Sequence, residues 1–142
     1  MRISAGSERI HGISNRRLAN EGLEAAPEMR KVLCMMRTML KRGRKVVAHN
    51  AAFDLRMLAQ TARAHGADWW DLEKAQVFCT MQAAKPRCGL TTRDGRAKAP
   101  SNSELFKFLT GSAPKGALHD ACVDVGVTGR SYAEGRQRGW WG

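Results

Sequence analysis

Apolar side chains recur at helical spacing from Pro27 onward, with Met29, Val32, Leu33, Met36 and Leu40 on one stripe and Arg42-Gly43 as a stop. Pro27 suits a first helical turn. The spacing predicts an amphipathic helix whose methionines are core packing rather than a binding surface. The first twenty-odd residues are polar, with Ile10 and Ile13 flanking His11-Gly12, and read as loop. Lys45 to His49 is a short β-branched run that leads directly into a second helical pattern, from Ala51 to about Ala64, with Gly66 as its terminator. A strand running straight into a helix predicts an α/β layer. Gln76 to Thr80 reads as another short strand.

The stretch from Pro86 to Pro100 is rich in Gly, Pro and basic residues and reads as a loop, either contacting phosphates or disordered. Ser101-Asn102-Ser103-Glu104 matches a capping box ahead of Leu105, Phe106, Phe108 and Leu109, with Gly111 closing the helix. A last element starts near Leu118 and carries Cys122, Val123, Val125, Val127 and Tyr132 toward Glu134. Residues 135–142 form a basic tail with Trp140 and Trp141, for which docking, disorder and base stacking are all open. No internal repeat is visible.

A chain of 142 residues fits one domain with its own core. Its charge sharpens the picture: 24 Lys and Arg against 13 Asp and Glu give +11, a surface that attracts polyanions and releases counterions on meeting a phosphate backbone. Nucleic acid is the expected partner, with a merely basic soluble or ribosome-associated protein as the bland alternative. Cys34, Cys79, Cys88 and Cys122 form no Cys-x-x-Cys pair, which argues against zinc. A thiol-ligated centre using Cys79, Cys88, Cys122 and His119 is a minor alternative. No apolar run approaches the length of a membrane span, and Met1 to Ser14 has no hydrophobic stretch of the signal-peptide kind. A soluble cytoplasmic protein with reduced thiols and no membrane partner is expected.

Two segments place acidic and imidazole groups at junctions between elements. In His49-Asn50-Ala51-Ala52-Phe53-Asp54 the strand has ended and the helix begun, so Asp54 falls in a first turn and gains from the helix dipole. An ordinary first-turn acid would look the same. In Leu118-His119-Asp120-Ala121-Cys122-Val123-Asp124, a regular helix through both His119 and Asp124 would set them about 140° apart around the axis. Were His119 instead in the loop before the helix, both could reach one water, with Asp120 as N-cap. Such a set suits phosphodiester hydrolysis. Carboxylates hold Mg²⁺ or Mn²⁺, the ions neutralise phosphoryl charge, and an imidazole titrating near neutrality accepts a proton from water.

Val46-Val47-Ala48-His49-Asn50-Ala51-Ala52-Phe53-Asp54 resembles the second exonuclease motif of the DEDDh (DnaQ-like) 3′–5′ exonuclease family, in the ribonuclease-H-like superfamily. His119 followed five residues later by Asp124 resembles its third. Ser4 to Ile13 is similar to the segment between the first and second motifs, and Cys79-Thr80-Met81 to the strand end after the second. The resemblance implies a metal-dependent exonuclease of ribonuclease-H-like α/β fold with a two-metal Mg²⁺ or Mn²⁺ site. It further implies Asp124 as a ligand of the water-activating metal, Asp54 as the holder of the second, His119 as general base and Asn50 as a residue orienting the site. His11 and Phe53 would lie near the terminal nucleotide, although Phe53 could equally anchor the helix start in the core.

The first motif of that family, an Asp-x-Glu on the first strand, has no counterpart here: Met1 to Ser7 holds no acid, and Glu8 has no aspartate two positions before it. Residues 1–134 are therefore expected to be a partial exonuclease domain lacking the first strands of a mixed sheet, with helices packed on the remaining strands. The isolated chain would be inactive, and exposed apolar surface would favour self-association or a partner completing the sheet. A misplaced start codon, a split gene and an inactive fragment are open explanations. Retention of the second and third motifs favours the first two. A non-catalytic nucleic-acid-binding protein on the same scaffold is the alternative.

Overall fold

The computed structural model describes residues 2–67, 75–116 and 120–142. Its order is α1 (Ala5–His11), α2 (Asn15–Glu21), α3 (Ala25–Lys41), β1 (Val46–Ala48), α4 (Ala51–Ala64), β2 (Val77–Cys79), α5 (Thr80–Cys88), α6 (Asn102–Thr110) and α7 (Ala121–Gln137). The two strands are parallel, with Val46 opposite Val77, Val47 opposite Phe78 and Ala48 opposite Cys79. Parallel neighbours need a crossover, and α4 supplies it.

Successive strand residues face opposite sides, and the two cores follow that alternation. Val46 and Val77 pack against Leu33 and Met36 of α3 and Leu55, Ala59 and Ala62 of α4. Phe78 faces the other way, onto Ala84 and Cys88 of α5, Leu105 and Leu109 of α6, and Trp141. Leu105 and Leu109 are almost wholly buried, each worth about 1.5–3 kcal/mol relative to exposure. The sheet is thus covered by α3 and α4 on one face and by α5, α6 and α7 on the other, the α/β layering that the sequence predicts.

The predicted boundaries of α3, β1, α4, β2 and α6 agree with the structure to within one or two residues, and the capping box at Ser101 and Glu104 has both of its reciprocal bonds. Other segments differ. The N-terminal stretch is not loop: Ser4 and Ser14 cap α1 and α2 by accepting from the Ser7 and Arg17 amides, while the Asn15 amide bridges the N–H and C=O of Ile3 at 2.7 and 3.0 Å. These helices bury no residue, so their sequences carry no apolar periodicity to read. α5 continues through Pro86 to Cys88, and the irregular segment begins at Gly89. α7 starts at Ala121 and runs to Gln137, so residues 135–137, expected in the tail, are helical, and Trp141 is buried against the domain.

Among the described residues, no helix is long and apolar enough to cross a membrane.

Candidate functional site

Asn50 has φ 67° and ψ 47°, the sole non-glycine residue with positive φ among those described. Asparagine tolerates this left-handed conformation better than most residues. It turns the end of β1 abruptly into α4, with the Phe53 amide donating to the Asn50 carbonyl at 2.8 Å. The tight junction sets Asp54 in the first turn of α4, near the strand end.

His49, at the same junction, is held on both ring nitrogens. Nε2 lies 3.1 Å from the Pro100 carbonyl, which only accepts, so Nε2 carries the proton. Nδ1, the bare nitrogen of that tautomer, lies 3.0 Å from the Thr80 hydroxyl, whose single proton has two acceptors in reach, Nδ1 and the Ala48 carbonyl at 3.4 Å. Burial pushes the imidazole pKa below its ordinary value, with the Pro100 bond acting in the opposite direction.

Asp124 enters from the other side. Asp120 is the N-cap of α7, accepting from the Cys122 and Val123 amides at 2.9 and 3.1 Å, which places Asp124 in the first turn. Its carbonyl accepts from the Asn102 side-chain amide at 3.2 Å.

Asp54 and Asp124 line one cavity of about 720 Å³, together with Val47, His49, Asn102 and Tyr132. Although Asp54 is exposed along much of its surface, desolvation at the cavity wall raises its carboxyl pKa, partly offset by its own backbone N–H. The wall mixes β1 side chains with the first turns of α4 and α6 and with α7 from Asp124 to Tyr132.

The other expected residues lie elsewhere. His11 ends α1, where its Nδ1 accepts from the Ile13 amide at 3.0 Å, and it is not on the cavity. Phe53 is no buried anchor: it is 48 % exposed, with the Arg56 guanidinium 5.9 Å from its ring centre. Asn50 shapes the junction through its backbone, and its side chain makes no capping bond. His119 falls outside the described residues, and by sequence it immediately precedes the cap of α7. Sequence reasoning overlooked His49 and Asn102. His49 sat in the quoted motif, and Asn102 was visible inside a capping box that was read only as helix chemistry.

Among the described residues no group of three or more His, Cys, Asp or Glu could hold a metal ion. Asp54 and Asp124 are the two carboxylates on the cavity wall, and Mg²⁺ is commonly held by one or two carboxylates with water and substrate phosphate completing its shell.

The RNase T family model, described as Exonuclease, matches residues 1–132. No curated protein and no solved structure matches the chain.

Proposed function

The chain belongs to the DEDDh exonuclease family of the ribonuclease-H-like superfamily, and from that membership we propose that it is a divalent-metal-dependent 3′–5′ exonuclease acting on the ends of DNA or RNA. The observation that carries this reading is the shared cavity of Asp54 and Asp124, contributed by two different helices.

In this reading the two carboxylates hold Mg²⁺ or Mn²⁺. A bound ion would neutralise phosphoryl charge and lower the pKa of a water. His119, which immediately precedes the α7 cap in sequence, would accept the proton of the attacking water. Asn50 fixes the strand-to-helix turn that presents Asp54. His11 and Phe53 are assigned to the approach of the terminal nucleotide, and the exposed Phe53 face is available for stacking. The +11 charge draws the polyanion toward the domain.

Among the described residues two carboxylates line the cavity, a sparse metal set, so turnover by these 142 residues alone is expected to be slow or absent. A two-stranded parallel sheet is also small, which supports a second copy or a partner chain completing it. Four free cysteines fit a reducing, cytoplasmic setting.

The test is a single-turnover assay with protein in excess over 5′-labelled oligonucleotide. Slow, Mg²⁺- or Mn²⁺-dependent shortening from the 3′ end, absent in Asp124→Asn, supports the nuclease. Binding with no shortening under any metal favours the second reading, a non-catalytic nucleic-acid-binding protein, to which the sparse metal set and the basic surface also point.

A further inference from the structure

The first turn of α6 sits between the two walls that carry Asp54 and Asp124, and side-chain hydrogen bonds tie it to both. On one side, the His49 Nε2–H donates to the Pro100 carbonyl, directly ahead of the α6 cap at Ser101. His49 is also bonded to Thr80, the first residue of α5, and it immediately precedes Asn50, where β1 turns into the helix of Asp54. On the other side, the Asn102 amide donates to the Asp124 carbonyl at 3.2 Å, and its oxygen accepts from the Thr128 hydroxyl at 3.3 Å. Asn102 therefore spans one turn of α7 and holds it at the residue that bears the carboxylate.

We infer that His49 and Asn102 are positioning residues that set the separation of Asp54 and Asp124 across the cavity, with the start of α6 as the spacer between them. The inference rests on the proposed role of the two carboxylates in holding metal. It follows from the directions of the bonds. The neutral Nε2–H tautomer is the form in which His49 donates to Pro100 and still accepts from Thr80. Asn102 is the amide orientation that both donates to a carbonyl and accepts from a hydroxyl. Alanine at either position would remove one of the side-chain ties between the start of α6 and a carboxylate-bearing wall while leaving both carboxylates in the chain. Removing groups that orient metal-holding side chains ordinarily weakens metal affinity by about 10- to 100-fold.

Mn²⁺ binding to the full 142-residue chain, read as loss of the free-ion electron paramagnetic resonance signal, tests this without recourse to activity. Asn102→Ala and His49→Ala are each expected to weaken Mn²⁺ binding about tenfold. Leu33→Val, a core change in α3, none of whose residues lines the cavity, lowers the thermal midpoint and should leave affinity unchanged. The imidazole ¹⁵N spectrum of the unmodified protein should show His49 with a protonated Nε2 and a bare Nδ1, a signature that requires no variant to fold.

Retention of affinity within about twofold in Asn102→Ala, or a loss no larger than that of Leu33→Val, would overturn the inference. So would a spectrum of interconverting His49 tautomers. Asp54→Asn and Asp124→Asn separate the two levels. If they abolish binding while Asn102→Ala and His49→Ala do not, positioning fails and the metal reading stands. If they leave binding intact, both fall.

Discussion

The Trp141 ring lies so close against Gly135 that a β-carbon there would fall well inside van der Waals contact distance of its six-membered ring. Trp141 also donates its indole N–H to the Tyr132 carbonyl at 2.9 Å and stacks at 13° to the Tyr132 ring, with centroids 6.2 Å apart. Phe78 of β2 closes the cluster at 5.2 Å from Tyr132 and 5.5 Å from Trp141. Because Tyr132 lines the cavity, the C-terminal aromatic pair braces the wall on which Asp124 stands.

Gly135→Ala is expected to destabilise the chain by about 1–3 kcal/mol, the usual cost of overpacking, and Trp141→Ala by about 3–5 kcal/mol. Urea unfolding followed by tryptophan-independent circular dichroism measures both. Wild-type stability in Gly135→Ala would mean that the ring is not seated against the helix.

Elements whose formation is dictated by burial were legible from sequence. The stripe through Leu33 and Met36, the β-branched Val46 and Val47, and the Ser101–Glu104 cap each leave a pattern because a core or a cap requires specific residue types. α1 and α2 left none, since they rest on serine caps and the Asn15–Ile3 bridge rather than on an apolar face. Pro86 misled in the opposite direction: α5 runs through the proline to Cys88, two residues on, so the irregular segment expected from Pro86 starts only at Gly89. Asp54 and Asp124, singled out through the motif resemblance, both lie on the cavity wall. His49 and Asn102 act through bonds to Pro100 and to the Asp124 carbonyl, tertiary partners that no local spacing encodes.

Glu104 links the cap of α6 to acid stability. The Lys98 ammonium at 2.7 Å, and then the Ser101 amide at 2.8 Å, draw its carboxyl pKa from 4.5 down to about 2. The folded chain therefore binds this proton less tightly than the unfolded chain. The stabilisation is complete above about pH 4.5 and is lost as the pH falls toward about 2. With the carboxylate side chain 40 % exposed, screening limits the pair to on the order of 1 kcal/mol or less. Glu104→Gln should be less stable than the parent at pH 7 and converge with it near the acid end. A difference that persists undiminished in acid would show that the effect is not electrostatic.

His119→Ala and Asp124→Ala are expected to remove most of any Mg²⁺-dependent hydrolysis while keeping the circular dichroism of the fold. Loss of one acid–base group ordinarily costs about 10²- to 10⁴-fold in rate. Unchanged hydrolysis in His119→Ala would assign the proton transfer to another group.

Asp54 sets stability against the proposed function. Desolvation raises its folded pKa above 3.8, so the folded chain holds the proton more tightly than the unfolded one. The stability from that difference is fully present below pH 3.8 and is lost as the pH rises through the raised value. At neutral pH the metal-free protein therefore carries an ionised carboxylate that its surroundings disfavour, and a bound cation would relieve it. Asp54→Asn removes the charge and keeps the shape, so with chelator present its thermal midpoint should rise, by on the order of 1–2 °C. Millimolar Mg²⁺ should then raise the midpoint of the parent by binding linkage and leave that of Asp54→Asn where it was. A variant that melts below the parent in chelator would show that Asp54 is held by native partners rather than reserved for a cation. One that still responds to Mg²⁺ would place the ion elsewhere.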